Sequence, residues 1–302
     1  MRGSPYAAIA VAVVSVSTAA IFITWSESPP ITIAFYRLAF ATAILLPFAA
    51  LHPSRPLRGI ARRDLLSMMG VGGILAAHFA LWITSLKVQG VTVASSVVLV
   101  TSHPLLVGLL SHFVLKERVG RKAALGILVG FSGVVVIALA DYGLSATTLG
   151  GDLLALLGGI AAGFYFLTGR RIRKRVSLLA YAFLVYGSAA AFLAPLAFVL
   201  GPGLAPSGTL VKELALFLAL AVIPQIGGHT LYNWSLRWVT APVVSLSLVG
   251  EPIGSSLLAW LLLDQTPGWA VALGAALALA GIYLTALGEG ERSRPIETAR
   301  VG

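Results

Sequence analysis

A few polar side chains stand inside long apolar stretches of this sequence, where each could bind a charged solute or carry a proton. Glu251 is the clearest case, because it lies directly before Pro252 and has Ser247 one helical turn before it. An ionisable residue at the centre of a membrane-spanning helix costs roughly 2.5–3.5 kcal/mol on insertion scales, which makes it a candidate for function. Glu251 and Ser247 are therefore candidates for substrate binding or proton coupling. The alternative for Glu251 is a structural hydrogen bond to backbone that Pro252 leaves unpaired.

His103 is a second polar residue of this kind, and it stands directly before Pro104. Histidine titrates near neutral pH and can donate or accept a hydrogen bond. His103 is therefore a second candidate for contact with a substrate or a proton. A satisfied hydrogen bond between helices is the structural alternative.

Two further groups of polar side chains recur at helical spacing. His78 and Trp82 share one helix face, and Gln225, His229 and Tyr232 share another. We expect these two faces to line a central cavity, with hydrogen-bond donors and aromatic surface that suit a small zwitterionic or aromatic solute. For Trp82 the alternative is a position at the membrane surface, where tryptophan is enriched.

Arg37 is the basic residue inside an apolar stretch, near its predicted outer end. A guanidinium group there could hold a substrate carboxylate in two parallel hydrogen bonds. The alternative is a structural pair with a carboxylate such as that of Glu27, or with carbonyl groups at a helix end.

The elements that carry these residues must be membrane helices. The 302 residues are 58% hydrophobic and 11% charged, with a mean hydropathy of +0.94, whereas about a quarter of residues are charged in a soluble domain. Apolar runs of about twenty residues match helices that cross a hydrocarbon core roughly 30 Å thick. The sequence predicts an all-α membrane protein with ten transmembrane helices, near residues 6–25, 31–51, 65–86, 91–115, 123–140, 150–168, 176–199, 213–235, 241–262 and 268–287.

Positive charge sets the expected orientation of these helices. With the N-terminus inside, 18 of the 21 Lys and Arg residues fall on the cytoplasmic side, where short loops accumulate them. We predict a multi-pass protein of the cytoplasmic (inner) membrane with both termini in the cytoplasm. The net charge of +10 is then an insertion signal and not a sign of nucleic-acid binding. The absence of cysteine excludes disulfides and thiolate chemistry.

The two halves of the chain resemble each other. Matching residues recur at spacings of 150 and then 148 positions, namely Leu81, Ser85 and Leu86 with Leu231, Ser235 and Leu236, and Pro104, Gly126 and Gly133 with Pro252, Gly274 and Gly281. Because each half holds an odd number of helices, the second half enters the membrane from the opposite side. We predict two inverted five-helix repeats, at residues 1–145 and 146–290, and a cytoplasmic tail at 291–302. Inverted repeats are typical of secondary transporters, which bind substrate between the repeats and open to each side in turn.

Three segments of the second half carry a resemblance to a known family. They are GHTLYNWSLRWVTAP from Gly228 to Pro242, LVGEP from Leu248 to Pro252, and ALG from Ala272 to Gly274. In these segments the sequence resembles EamA-type proteins of the drug/metabolite transporter superfamily, and the first half repeats the pattern more weakly. The resemblance implies a ten-helix carrier with two inverted repeats, in a superfamily in which many members export amino acids or related metabolites.

The expected function is secondary transport of a small polar metabolite, with an amino acid or related compound as solute and export as direction. The alternative is an importer or facilitator of a sugar, nucleoside, cationic drug or lipid on the same fold. We expect no enzyme activity, because the sequence has no HExxH metal motif and no P-loop. We expect no cofactor and no metal. The expected partners are the solute, the lipid bilayer and protons as a coupling ion, without nucleic acid, and the chain is expected to be a monomer or a homodimer.

Overall fold

The computed structural model describes residues 5–52, 57–105, 120–142, 145–173, 175–201, 203–235 and 241–292. In these ranges every regular element is a helix and no strand occurs, so the predicted all-α class is confirmed. The helices are α1 (Pro5–Ser17), α2 (Ala19–Trp25), α3 (Pro30–Leu51), α4 (Arg62–Leu86), α5 (Val93–Thr101), α6 (Arg121–Tyr142), α7 (Ala146–Ile172), α8 (Leu178–Leu200), α9 (Leu210–Leu220), a π-helix (Ala221–Thr230), α10 (Leu231–Ser235), α11 (Ala241–Leu263) and α12 (Trp269–Arg292).

Seven helical stretches in the described ranges are long and apolar enough to cross a membrane. They coincide with the first three and the fifth to eighth predicted helices, and they are Ala7–Trp25, Pro30–Leu51, Arg62–Leu86, Arg121–Ala140, Ala146–Gly169, Leu178–Leu200 and Leu210–Ser235. Shorter apolar helices at Val93–Leu105, Gly250–Leu263 and Trp269–Thr285 stand at the other three predicted positions. The rest of the predicted fourth helix, residues 106–115, lies outside the described residues. The protein is thus a multi-pass membrane protein, and the count of ten helices stays a prediction.

The eighth predicted helix is not a continuous α-helix. Its middle third, Ala221–Thr230, is a π-helix that contains Pro224. Proline has no backbone N–H and clashes with the preceding turn, and the wider π turn is one way in which a helix accommodates such a break. The π-helix carries Gln225 and His229, two of the predicted site residues.

The first predicted helix is also interrupted. Thr18 separates α1 from α2, and its hydroxyl donates a hydrogen bond of 2.7 Å to the carbonyl oxygen of Ser15. A threonine that bonds back to its own helix bends the backbone. Both breaks lie beside the cavity described below, which Val16, Ala19 and His229 help to line.

Glycines allow the closest helix contact of the bundle, between α6 and α12. A Cβ atom placed on Gly126 would lie 2.8 Å from the carbonyl oxygen of Gly281, and one placed on Gly274 would lie 2.8 Å from that of Gly133. Backbones approach this closely in membrane helices only where small residues replace larger ones. These glycines therefore fix the spacing of α6 and α12.

The helices of the two halves are interleaved. Helix α4 packs against α7, while α1 packs against the π-helix and α11. Helix α3 packs against α8, α5 packs against α11, and α6 packs against α12. In each of these pairs one helix comes from each half of the sequence, so side chains from both halves meet at the centre.

Candidate functional site

A small cavity lies where these helices meet. Its volume is about 30 Å³, which is enough for one or two water molecules and too little for an amino acid. The lining residues come from both halves of the sequence and are Val16, Ala19, Arg37, His78, Trp82, Val100, Thr101, His103, Ala162, Phe166, His229, Tyr232 and Glu251.

The structure brings most of the predicted site residues together at this cavity. Those that line it are Arg37, His78, Trp82, His103, His229, Tyr232 and Glu251. Gln225 is fully buried and contacts Arg37, so it stands directly behind the lining. Ser247 lies on α11, but its side chain is outside the described part of the structure.

Arg37 is fully buried, with 0% of its surface exposed. Its Nε atom donates a hydrogen bond of 2.7 Å to Oε1 of Gln225, and its Cζ atom lies 4.1 Å from the ring centroid of Phe79. No described residue accepts a hydrogen bond from either terminal nitrogen of the guanidinium group. Gln225 therefore holds the guanidinium group at its Nε edge and Phe79 holds it on one face. Its two terminal nitrogens have no hydrogen-bond partner among the described residues.

The expected alternative, a pair between Arg37 and Glu27, is wrong. The Glu27 carboxylate instead forms an ion pair of 2.6 Å with Nζ of Lys212 near the outer end of the bundle. Arg37 lies one helix turn or more deeper along α3, beyond the reach of that pair.

His78 is held by the backbone of the other half of the sequence. Its Nδ1 atom lies 2.9 Å from the carbonyl oxygen of Gly158 on α7, which fixes Nδ1 as the donor. Its ring lies parallel to that of Trp82, at a centroid distance of 6.1 Å, and 6.5 Å from that of His229. Nδ1 of His229 has no hydrogen-bond partner among the described residues. His78 therefore has a structural contact, whereas His229 has an unused ring nitrogen.

His103 makes no hydrogen bond between helices within the described ranges. Its Nδ1 atom lies 3.4 Å from the carbonyl oxygen of Val100 in the preceding turn, which is a long contact. Its ring stacks on Phe166 of α7 at a centroid distance of 5.4 Å. Stacking on Phe166, and not a strong hydrogen bond, is what positions this histidine.

Trp82 faces the interior of the bundle, whereas its alternative role at the membrane surface needs an exposed indole ring. Only 3% of its surface is exposed, and the residue forms part of the cavity wall. Its indole N–H finds no acceptor among the described side chains and backbone groups. A buried indole usually has a hydrogen-bond partner, so this donor is available to a ligand.

Glu251 lines the same cavity from α11, next to the buried Pro252. Within the described ranges its carboxyl group neither accepts a hydrogen bond nor donates one to a backbone carbonyl, so the structural hydrogen bond considered above is not seen. The neighbouring turn is fixed by Ser255, whose hydroxyl donates to the carbonyl oxygen of Ser17 at 3.2 Å. Glu251 is the one carboxylate among the cavity-lining residues that the structure describes.

A second polar cluster, at the end of the bundle that the charge pattern predicts to face outward, was not predicted. Glu213 has 0% of its surface exposed, and its carboxylate accepts hydrogen bonds from the Ser26 hydroxyl, the Ser28 hydroxyl at 2.7 Å and the Glu27 backbone N–H at 2.8 Å. Nζ of Lys87 donates to the carbonyl oxygen of Ser26. Burial lowers the pKa of the Lys87 ammonium group. We call this group, Ser26 to Ser28 with Lys87, Lys212 and Glu213, the outer cluster.

The outer cluster and the residue Phe166 gave no usable signal in the sequence. Glu213 stands beside Lys212 at the start of an apolar stretch, where a charge is expected in a loop or at the membrane surface. Phe166 is an aromatic residue in an apolar helix, and most such residues serve packing alone.

Comparison with known proteins identifies relatives over most of the chain. The model of the EamA-like transporter family matches residues 1–139 and 149–287. An uncharacterized transporter of Archaeoglobus fulgidus is 27% identical over 271 residues, which cover 86% of this chain and 88% of the relative. The uncharacterized transporter YetK of Bacillus subtilis is 25% identical over 203 residues, which cover 66% and 62%. One crystal structure superposes with a TM-score of 0.66 and 23% identity over 98% of this chain and all of the other, which shows a shared fold.

Proposed function

Because the chain belongs to the EamA-like transporter family, we propose that it carries a small polar metabolite across the cytoplasmic membrane by alternating access. The proposed solute is an amino acid or a related compound, the proposed direction is export, and protons are the proposed coupling ion. Import or facilitated movement of a sugar, nucleoside, cationic drug or lipid is the alternative. One observation carries the proposal, namely a central cavity where polar side chains of both halves of the sequence converge.

The helix pairing supports an inverted repeat of residues 1–145 and 146–290. An inverted repeat implies a two-fold axis that exchanges each helix of the first half with its counterpart in the second half. A contact between a helix and its own counterpart is then mapped onto itself. The pairs of α3 with α8, α5 with α11 and α6 with α12 have this property. The pair of α4 with α7 maps onto that of the π-helix with α1, which is also present. Transporters with inverted repeats bind their substrate between the repeats, close to this axis. The cavity is therefore where the repeat would place the substrate.

The loop contacts support the predicted grouping of the loops into two sides of the membrane, and the excess of Lys and Arg on one of them supports its assignment to the cytoplasm. Arg175 pairs with Asp64 at 2.8 Å, and both stand in segments assigned to the cytoplasm from charge alone. On the other side, Nζ of Lys212 reaches Glu27, and the Val93 N–H donates to Oε1 of Gln265 at 3.0 Å. Each contact joins segments assigned to the same side of the membrane. Cytoplasmic termini, with a cytoplasmic tail at 291–302, are therefore part of the proposal.

The small cavity indicates which motion transport needs. At about 30 Å³ the cavity cannot hold an amino acid, so solute entry requires helices to separate at one end. In the outer cluster, Glu213 of α9 accepts from the segment before α3, and Lys87, directly after α4, donates to the same segment. The proposal is that these contacts hold this end of the bundle closed. Outward opening therefore requires these contacts to break, while inward opening leaves them in place.

Counterflow into liposomes tests the proposal. Purified protein is reconstituted into vesicles loaded with one unlabelled solute class at a time, and uptake of the labelled solute is measured with and without a proton gradient. We expect saturable counterflow of amino acids, accelerated by the gradient in the wild type and not in a Glu251→Gln variant. Counterflow of sugars or nucleosides alone would replace the proposed solute. Absence of counterflow for every class in folded protein would contradict transport of these solutes.

A further inference from the structure

We infer that Arg37 binds the carboxylate of the transported solute, an inference that rests on the transport function proposed above. The starting observation is that a fully buried guanidinium group has two terminal nitrogens without an acceptor among the described residues. Arginine stays charged in proteins, and a buried charge without compensation is costly. An oxyanion in the cavity supplies that compensation.

The surroundings of Arg37 select the way in which an anion can approach. Gln225 occupies the Nε edge, and Phe79 covers one face of the guanidinium plane. The edge that remains carries the two terminal nitrogens, whose N–H groups point in parallel and match the two oxygens of a carboxylate. Gln225 and Phe79 therefore act as positioning residues for an end-on, two-point contact.

Two other unused groups, one in the cavity wall and one directly behind it, are also donors, whereas Nδ1 of His229 can donate or accept and the Glu251 carboxylate can accept. The Trp82 indole N–H and the Gln225 side-chain NH₂ lack acceptors among the described residues. Indole nitrogen can only donate, and so can an amide NH₂. A ligand that satisfies this set must be rich in acceptors and carry negative charge, which describes a carboxylate better than a sugar hydroxyl or an amine.

No carboxylate of the described part of the protein lies within ion-pair distance of Arg37, and Glu251 acts on it electrostatically only from a longer range. The ion pairs found there join Arg175 to Asp64 and Lys212 to Glu27. Glu251 lines the same cavity without an ion pair to Arg37, so it remains available to an ammonium group or a proton. A zwitterionic amino acid could use both ends, and a simple carboxylic acid could use Arg37 alone.

Thermal stabilisation of the full-length protein in detergent tests the inference. The probes are the protein L-amino acids, their carboxamides, and the corresponding deaminated carboxylic acids, each at the same concentration. A ligand that binds the folded state raises Tm, and the rise grows with the logarithm of the ligand concentration relative to its Kd. We expect at least one acid to stabilise the wild type while its carboxamide does not. Response to the deaminated acid separates carboxylic acids in general from amino acids.

Variants assign the effect to Arg37. Arg37→Lys keeps the charge and loses the two-point fork, and Arg37→Gln loses both, so we expect acid affinity to fall roughly tenfold to a hundredfold. Gln225→Glu has nearly the same shape and supplies an internal carboxylate to Arg37, so it weakens acid binding without removing the arginine. The matched control is Arg175→Gln, at a half-exposed pair, which leaves acid binding unchanged.

Two outcomes would overturn the inference. One is stabilisation of the wild type by carboxamides as well as by acids, or by no acid at all. The other is unchanged preference for acids in Gln225→Glu and in whichever Arg37 variant folds. If vesicles then show counterflow of a neutral sugar or nucleoside, the transport function is supported and the carboxylate site is contradicted. If they show no counterflow for any class, the proposed function fails as well.

Discussion

Arg37 and Glu213 are both fully buried charges, and they differ in how completely the protein satisfies them. The Glu213 carboxylate accepts three hydrogen bonds from the segment of Ser26 to Ser28. The Arg37 guanidinium donates one, to Gln225, and its fork has no acceptor among the described residues. A satisfied buried charge orders the elements that bind it, whereas an unsatisfied one needs a ligand. This difference supports a structural role for Glu213 and the proposed contact of Arg37 with the solute.

Replacement of Glu213 is the strongest test of this difference. In Glu213→Ala, two hydroxyls and one backbone N–H lose their acceptor, and each hydrogen bond to a charged group is worth about 1.5–3 kcal/mol. Because such losses are not additive, we expect the free energy of unfolding to fall by about 3–5 kcal/mol. The measurement is thermal or denaturant unfolding in detergent. Glu213→Gln, which keeps one acceptor oxygen, should lose less.

The result to compare with it is Glu27→Gln, a neighbouring carboxylate that is more than half exposed. This variant should lose less than about 1 kcal/mol. Equal losses at Glu213 and Glu27 would show that burial and hydrogen bonding of Glu213 are not what stabilises the outer end.

Replacement of Arg37 should have the opposite pattern. In Arg37→Gln, transport should fall roughly tenfold to a hundredfold, or about 1.4–2.7 kcal/mol in transition-state terms. The unliganded protein should be as stable as the wild type or more stable, because removal of an uncompensated buried charge relieves its desolvation cost. Counterflow and Tm are measured on the same preparation. A fall in Tm as large as that of Glu213→Ala would mean that Arg37 is structural.

A packing change far from both charges separates stability from transport. A Cβ atom on Gly281 would lie 2.6 Å from the carbonyl oxygen of Gly126, so Gly281→Ala forces α6 and α12 apart. Overpacking of this kind costs about 1–3 kcal/mol, and here the atoms in the way are backbone atoms of Gly126 and Gly130, which can yield only if a helix shifts. Counterflow measured well below the new Tm should remain near that of the wild type.

The control is Gly150→Ala on α7, where a Cβ atom has nothing within 4 Å. Alanine is favoured over glycine in a helix by up to about 1 kcal/mol, so this variant should not lose stability. If Gly281→Ala loses transport although the protein is fully folded, the contact of α6 with α12 must move during transport.

The sequence predicted the cavity residues better than the outer cluster, for a physical reason. Arg37, His103 and Glu251 each stand in an apolar run, where a polar group is costly enough to be noticed without a structure. The burial of Glu213 depends on Ser26 and Ser28, which lie in a distant loop, and no local pattern encodes that contact. The π-helix was also not predicted, because the sequence pattern was interpreted with the spacing of an α-helix.

Breaking the ion pair of Lys212 with Glu27 should have the smallest effect on stability. It also tests whether Glu213 stabilises its end of the bundle independently of the surface charges. The side chains of Lys212 and Glu27 are 46% and 58% exposed, and exposed pairs contribute little to stability and less at high salt. Lys212→Gln should therefore lower Tm slightly at low salt and not at all at high salt. A salt-independent loss near that of Glu213→Ala would mean that Lys212, Glu27 and Glu213 stabilise the outer end as one network. The hydrogen bonds of Glu213 would then stabilise this end of the bundle together with the surface charge of Lys212. The difference in hydrogen bonding between Glu213 and the terminal nitrogens of Arg37 would be unaffected.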